Sequence, residues 1–315
     1  MFLRFLAVLL SALALGPGGA GAVELPRLEM VEVTGGTFAF IGEQTSFTPA
    51  NGGNMMNAGF IVTRDAVVVI DTGLTRNIGE AMIARIESAT SAPIRLVLNT
   101  HFHPDHTFGN VAFTARGIPI QATPEVRAQL AAEGSSLLEN IHQLIGPGAK
   151  GTELRLPEPA ITEAETREIG GHRLSLMIFR HAHTDSDLVV FDETTGVLFA
   201  GDLVFQESAP ATPNADLEGW LEALRRIESL PWRRLVPGHG PVVSNKAQLR
   251  VQFDYLSWLP RAIDEAVRQG DDINDLLRKP IPKPFADLIL VDWRFERSVL
   301  KYFPERETRF FQQGR

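Results

Sequence analysis

Four side chains able to hold a metal ion or move a proton fall within six residues of this chain. They are His101, His103, Asp105 and His106, in the run Asn99-Thr-His-Phe-His-Pro-Asp-His-Thr-Phe-Gly109. In extended or turning backbone, residues two apart point to one side, so His101 and His103 offer imidazole nitrogens to a single ion. Asp105 and His106 sit beyond the turn and face a second ion nearby. Three unrelated histidines are the ordinary alternative, but H-x-H-x-D-H arises by chance only on the order of 10⁻⁴ times in such a chain. Three further runs add donors. Arg180-His-Ala-His-Thr-Asp-Ser-Asp187 offers His181 and His183. Leu198-Phe-Ala-Gly-Asp202 ends in a carboxylate whose small preceding residue leaves room for an ion, and Val236-Pro-Gly-His-Gly240 sets His239 between glycines. Together they suffice for two metals, and imidazole with carboxylate suits zinc, and also manganese or iron.

Each run follows a segment that reads as a strand, and loops at strand ends are where sheet proteins gather functional groups. Short Val-, Ile- and Phe-rich runs come first, at Met30–Val33, Phe38–Gly42, Gly59–Val62 and Ala66–Ile70. Asn77–Thr90 has helical periodicity, with Ile78, Met82, Ile83 and Ile86 on one face. Ile94–Leu98 is a buried-type strand leading into the histidine run, and Ala122 to about Ile145 reads as helix broken around Gly134. A second β-rich half follows at Leu174–Phe179, Leu188–Phe191 and Val197–Ala200. An amphipathic helix over Asp216–Leu230 and a last strand at Arg234–Pro237 complete it. From Lys246 the pattern is helical, interrupted by Pro260, Pro280, Pro282 and Pro284. Two β-rich halves, each followed by helices, predict an α/β architecture of two packed sheets with helices outside. The final segment carries Trp258, Trp293, Phe295, Tyr302, Phe303, Phe310 and Phe311. These are expected to pack back on the domain, with an oligomer or partner surface as the alternative.

Composition narrows the chemistry. The chain has 315 residues, 38 Asp plus Glu against 30 Lys plus Arg, eight His and no Cys. An acidic balance without a basic run argues against a nucleic-acid partner. The missing Cys removes disulfides, thiolate catalysis, iron–sulfur clusters and sulfur-built zinc sites. Residues 1–22 read as a signal peptide, with Arg4 in the n-region, an apolar Phe5–Leu15 and the small-x-small triplet Ala20-Gly21-Ala22. A periplasmic or secreted location follows, with no stable membrane anchor, since no later stretch has the apolar length of a span.

The order H-x-H-x-D-H, His-Thr, Gly-Asp, Gly-His-Gly resembles the metallo-β-lactamase-fold hydrolases. Upstream, Asn54-Met-Met-Asn-Ala-Gly-Phe-Ile-Val and Val67-Val-Val-Ile-Asp-Thr-Gly73 resemble that family's opening strands, and the likeness covers about Glu29 to Val243. Asn99–Phe113, Ala182–Phe191, Ala200–Phe205 and Val236–Gly240 look closest to exported members called quinoprotein relay system zinc metallohydrolases. Relatives near sulfur-oxidation loci look similar. The resemblance implies a four-layer αββα sandwich over residues 23–245 and a C-terminal helical extension over 246–315. It implies that His101, His103 and His183 hold one zinc, that Asp105, His106 and His239 hold another, and that Asp202 bridges them. His183 rather than His181 is implied because the family's ligand precedes Thr, here Thr184. His142 and His172 are not expected to be ligands. Asp71 is implied to orient a metal-bound histidine through its second nitrogen, with Asp185 and Asp187 either similar or solvated turn residues.

The implied activity is that of an exported binuclear zinc hydrolase, whose shared hydroxide attacks a small ester, thioester, lactone or amide. Asp105 would bind metal and orient the nucleophile. The major periplasmic β-lactamase subclass has Cys where this chain has Asp202, which points away from a conventional lactamase, while β-lactam cleavage stays open as a side activity. Two other classes remain. One is a mononuclear iron oxygenase of persulfides using His101, His183 and Asp202, and the other is an accessory protein for delivery of a quinone cofactor or metal. Loops Gln44–Asn57 and Gln206–Asn214 are candidate pocket walls for a small-molecule substrate, and neither carries Lys or Arg.

Overall fold

A computed structural model describes residues 25–313, so the leader read over Met1–Ala22 lies outside the described residues. The first half of the chain forms a six-stranded sheet in sequential order. Its strands are β1 (Glu29–Thr34), β2 (Thr37–Ile41), β3 (Ala58–Val62), β4 (Val67–Ile70), β5 (Ile94–Leu98) and β6 (Ile120–Gln121). The second half forms a five-stranded sheet in the order β11-β10-β9-β8-β7. These strands are β7 (Glu165–Ile169), β8 (His172–Arg180), β9 (Ser186–Asp192), β10 (Val197–Phe205) and β11 (Arg234–His239). Pairing is antiparallel except where helices intervene and return the chain in parallel, at β4–β5, β5–β6 and β10–β11.

The strand composition dictates the layering. In β4, Val68 and Ile70 face the second sheet while Val67 and Val69 face the helices, so all four are buried and the strand reads as an unbroken apolar run. The inner layer joins Ile61, Val68, Ile70 and Leu98 to Leu174, Leu188, Val190 and Phe199. On the outer face of the first sheet lie α1 (Arg76–Ala89), the short α2 (Pro104–Thr107) and α3 (Asn110–Thr114), and α4 (Pro124–Ile145). Against the second sheet pack α5 (Leu217–Ser229), α6 (Arg250–Gln269), α7 (Ile273–Arg278) and α8 (Val291–Gln313). The expected αββα sandwich with C-terminal helices is therefore present.

Several local expectations change. Helix α4 runs unbroken through Gly134, because the missing side chain there admits Leu154 against the helix. Pro260 lies inside α6, and Pro304 inside α8, without ending either helix. Each proline removes one N–H donor, and core residues on both sides of Pro260 (Leu256, Leu259, Ile263) hold its helix continuous. Pro280, Pro282 and Pro284 do fall in an irregular connection. Strand β10 continues three residues past Asp202, where a strand end was expected, and His239 is the last residue of β11. The strands β6 and β7 carry no apolar run and are legible only through their partners. Of the C-terminal aromatics, Phe295, Tyr302 and Phe303 are buried and Trp258 packs against the same cluster, whereas Trp293, Phe310 and Phe311 are exposed. Among the described residues, no helix is long and apolar enough to cross a membrane.

Candidate metal centre and the pocket above it

Strand β5 delivers the histidine run to the edge where the two sheets meet. His101 and His103 follow the strand directly, and Pro104 starts α2, which carries Asp105 and His106. A buried polar network holds this corner. The Asn99 amide donates to the His106 carbonyl (3.3 Å), and Asn110 donates to Asn99 Oδ1 (2.8 Å). Thr72 donates to Asn110 Oδ1 (2.9 Å) and through its backbone N–H to the His106 carbonyl (3.0 Å). The second sheet brings the remaining groups. His183 sits on the turn before β9, whose shape is set by Asp187 accepting from the Thr184 N–H (2.9 Å) and hydroxyl (3.0 Å). Asp202 sits in β10 where its register with β11 shifts around Gly201, a bulge that re-aims the side chain.

These elements gather two donor groups, His101–His103–His183–Asp202 and Asp105–His106–His239, with the donor atoms within each group no more than 4.8 Å apart. His103 Nδ1 lies 3.1 Å from His101 Nε2 and 3.0 Å from His183 Nε2. That spacing suits imidazoles converging on an ion with bonds of roughly 2.0–2.1 Å. Asp202 stands between the groups. Its Oδ2 is 3.4 Å from His183 Nε2 and 3.7 Å from His101 Nε2, while its Oδ1 is 3.1 Å from His106 Nε2 and 3.4 Å from His239 Nε2. One oxygen faces each group.

The hydrogen bonds on the far side of the rings test whether these groups fit a metal. His239 Nδ1 lies 2.8 Å from the Met55 carbonyl, which can only accept, so that nitrogen carries the proton. His106 Nδ1 lies 2.8 Å from Asp71 Oδ2 and donates to it likewise. In their neutral forms both rings then turn a bare Nε2 lone pair toward Asp202 and Asp105, placing acceptor against acceptor. His106 Nε2 and Asp202 Oδ1, which face each other at 3.1 Å, are buried without a hydrogen-bond partner. Only a cation, a proton or a metal ion, relieves this crowding, so the residues fit a divalent metal. The electrostatics agree. Burial pushes the His101 and His183 imidazoles well below their usual range. Burial also opposes charge on His106, but Asp202, Asp71 and Asp105 outweigh it and raise that ring well above its ordinary value. Burial likewise opposes charge on Asp202, yet His239 and His106 hold its carboxyl well below the usual range.

Asp71 occupies the expected orienting position and adopts a left-handed backbone conformation (φ 61°). It accepts from His106 and, at 2.8 Å each, from the Thr100 N–H and hydroxyl. Asp187 fixes the His183 turn rather than a ring nitrogen, and burial pushes its carboxyl up to about 8 despite the Thr184 hydrogen bonds. Asp185 is exposed beside Gln129. His181 is exposed, His142 meets the Thr152 carbonyl and His172 meets Asp192, all outside the two groups.

A cavity of about 170 Å³ opens over the donors, reached by His103, Asp105, Asp202 and His239. Both loops expected as walls line it, through Ser46, Phe47 and Met55 and through Ala211 to Asn214, whose Oδ1 lies 3.1 Å from His103 Nε2. The third wall was not anticipated: Trp293, Arg294 and Arg297 reach the cavity from α8. Their only trace in the sequence is the i, i+3 spacing of two arginines beside a tryptophan, and nothing local ties that to a histidine run nearly two hundred residues earlier.

The family model described as "Metallo-beta-lactamase superfamily" matches residues 51–239. The chain belongs to the metallo-β-lactamase superfamily. Among its relatives is the atrochrysone carboxyl ACP thioesterase of Aspergillus fumigatus, 27% identical over 58% of this chain and 49% of that protein. The hydroxyacylglutathione hydrolase of Rhodospirillum rubrum is 28% identical over 54% of this chain and 56% of its own length. The chain thus spans about half the length of these two relatives. A solved metallo-β-lactamase from Pontibacter korlensis superposes with a TM-score of 0.61 over 73% of this chain and 99% of its own, at 22% identity, which speaks for the fold. The superfamily match ends at His239, so α6 to α8 and their arginines lie beyond it.

Proposed function

We propose that this protein is an exported, binuclear zinc hydrolase of a small ester, thioester, lactone or amide. Its motifs resemble those of the quinoprotein relay system metallohydrolases. The observation that carries the reading is Asp202 turning one oxygen to each of two complete donor groups, with bare imidazole lone pairs facing carboxylates. His101, His103 and His183 would hold one ion, Asp105, His106 and His239 the other, and Asp202 both. A divalent metal held there would lower the pKa of water toward about 7 and polarise a carbonyl oxygen. The chain's own groups do the rest. Asp105 lines the cavity, where its carboxylate would accept a hydrogen bond from the attacking water and take its proton at Oδ. Asp71 and the Met55 carbonyl take up the Nδ1 protons of His106 and His239, so that their Nε2 atoms are the ones aimed inward. The apolar side chains of Phe47, Met55 and Trp293 exclude water around the acyl group. Similarity to a thioesterase and to a hydroxyacylglutathione hydrolase supports an acyl-transfer class.

Metal analysis of protein matured in the periplasm, followed by an ester and thioester screen, tests this. Two zinc ions per chain and loss of turnover in His103→Ala are expected; unchanged turnover in that variant would overturn the assignment. One iron with thiol-dependent oxygen uptake would indicate the oxygenase instead, and a loaded but inert site the accessory role. N-terminal sequencing of the mature protein is expected to begin at Val23.

A further inference from the structure

We infer that α8 equips the pocket to recognise a substrate bearing a carboxylate, through Arg294 and Arg297. This rests on the hydrolase reading above and adds the substrate's charge class to it. Arg294 is 3% exposed, yet among the described residues it forms no ion pair. Its Nη1 donates to the Ala209 carbonyl, its Nε is buried without an acceptor, and its guanidinium lies 4.8 Å over the Phe205 ring. A buried guanidinium in close contact with one carbonyl and a ring face, with the Asp202 and Asp105 carboxylates acting on it from beyond ion-pair distance, is a costly arrangement, and once metal engages those carboxylates an anion in the adjoining cavity is the partner that offsets it. Arg297 lies one turn on, lines the same cavity, has no ion pair among the described residues, and is held over Trp293 at 5.2 Å. Two cations thus share one wall of a cavity whose remaining lining includes the apolar Phe47, Met55 and Trp293. That combination suits a small organic acid: an apolar body, a reacting carbonyl over the donor groups, and a planar two-oxygen head matched to the guanidinium fork.

A purely structural role for Arg294 is the competing account, since it braces Ala209 and the Phe205 ring, which itself stacks on His239 at 4.9 Å. Charge selectivity separates the two. The metal-replete full chain is titrated by calorimetry with 3-acetylbenzoate and with 3-acetylbenzamide, ketones of matched shape that do not hydrolyse. The acid is expected to bind at least tenfold tighter than the amide, with Arg297→Gln and Arg294→Gln each cutting that ratio at least fivefold. Equal binding of the two probes by the wild type, or an unchanged ratio in Arg297→Gln, would overturn the inference. Arg297 is exposed, so its variant keeps the test available even where Arg294→Gln does not fold.

The esters 3-acetoxybenzoate and 3-acetoxybenzamide supply the kinetic arm. Water adds to the acetyl carbon, the acyl C–O bond breaks, the phenol oxygen takes one of the water's protons, and the other passes to solvent as acetate leaves. A higher kcat/KM for the acid, lost in Arg297→Gln, supports the inference. Cleavage of both esters at equal kcat/KM overturns it while leaving the hydrolase reading intact. Cleavage of neither ester counts against the hydrolase reading, and the ketone titration still decides the charge preference.

Discussion

Asp202 carries more of the site than any other side chain, because it is the group placed to face both donor sets. Its position depends on Gly238 in the neighbouring strand. A β-carbon built at Gly238 would collide with the Asp202 carboxylate and with the backbone of Gly201 and Asp202. Gly238→Ala is therefore expected to displace Asp202 and lower bound metal to one ion or fewer per chain, measured by elemental analysis, while far-ultraviolet circular dichroism stays native. Asp71 is the second such residue, although it touches no ion. Replacing it with Asn keeps the shape but weakens the hold on His106 Nδ1 and on Thr100. Outer partners of metal-bound histidines are typically worth 10–100-fold in affinity, so Asp71→Asn should weaken zinc binding by about that factor in a competition titration.

At the scale of elements, α8 acts as a brace for the loop between β10 and α5. The Tyr302 hydroxyl shares its one proton between the carbonyls of Thr212 (2.7 Å) and Ala215 (2.9 Å), Thr212 and Ser298 pair through their hydroxyls (2.7 Å), and Arg294 donates to Ala209. Asn214, beside His103, sits on the braced loop. Tyr302→Phe takes the hydroxyl away from the Thr212 carbonyl, which keeps the Ala215 N–H, and from the partly buried Ala215 carbonyl, at a cost of about 0.5–1.5 kcal/mol. Faster amide exchange over residues 209–215, with α1 unchanged, is the expected signature. This element also marks how far the sequence could be read. The donor residues were legible because each sits in a short run beside a strand, so type and spacing alone set His101, His103, Asp105 and His106 apart. The layer order was legible from apolar runs such as Val67–Ile70. The α8 arginines were not, since their role comes from a helix folding back across the second sheet, a long-range packing event that leaves no local period. Gly134 and Pro260 misled for a related reason. Their local propensity favours a break, and tertiary packing against Leu154 and around Leu256 and Ile263 overrides it.

Across the whole molecule, the two sheets meet at a seam filled with charge, and metal is the natural clasp. His101, His103, Asp105 and His106 come from the first half, His183, Asp202 and His239 from the second, so ions held there tie the halves of the sandwich together. Without them the only relief for the crowded acceptors is protonation, and His106 is the ring most raised toward it. The sign follows. A histidine raised in the folded state stabilises the metal-free chain fully at low pH, and that contribution is lost as pH rises through its folded pKa. Asp202, held low, stabilises at neutral pH and loses its contribution as acid protonates it. Metal displaces the proton from His106, so binding tightens with pH and supplies stability where the metal-free chain is losing it. Free zinc at a thousandfold above Kd would add about 4 kcal/mol. Below about pH 6.5 the depressed His101 and His183 rings take up protons mainly in the unfolded chain and so act with the opposite sign. Thermal unfolding of zinc-replete and chelator-treated protein between about pH 6.5 and 8 should therefore show a Tm gap that widens as pH rises, with a falling Tm of the stripped chain. A gap that is constant across this range, or that narrows toward pH 8, would show that the seam does not depend on metal for its charge balance.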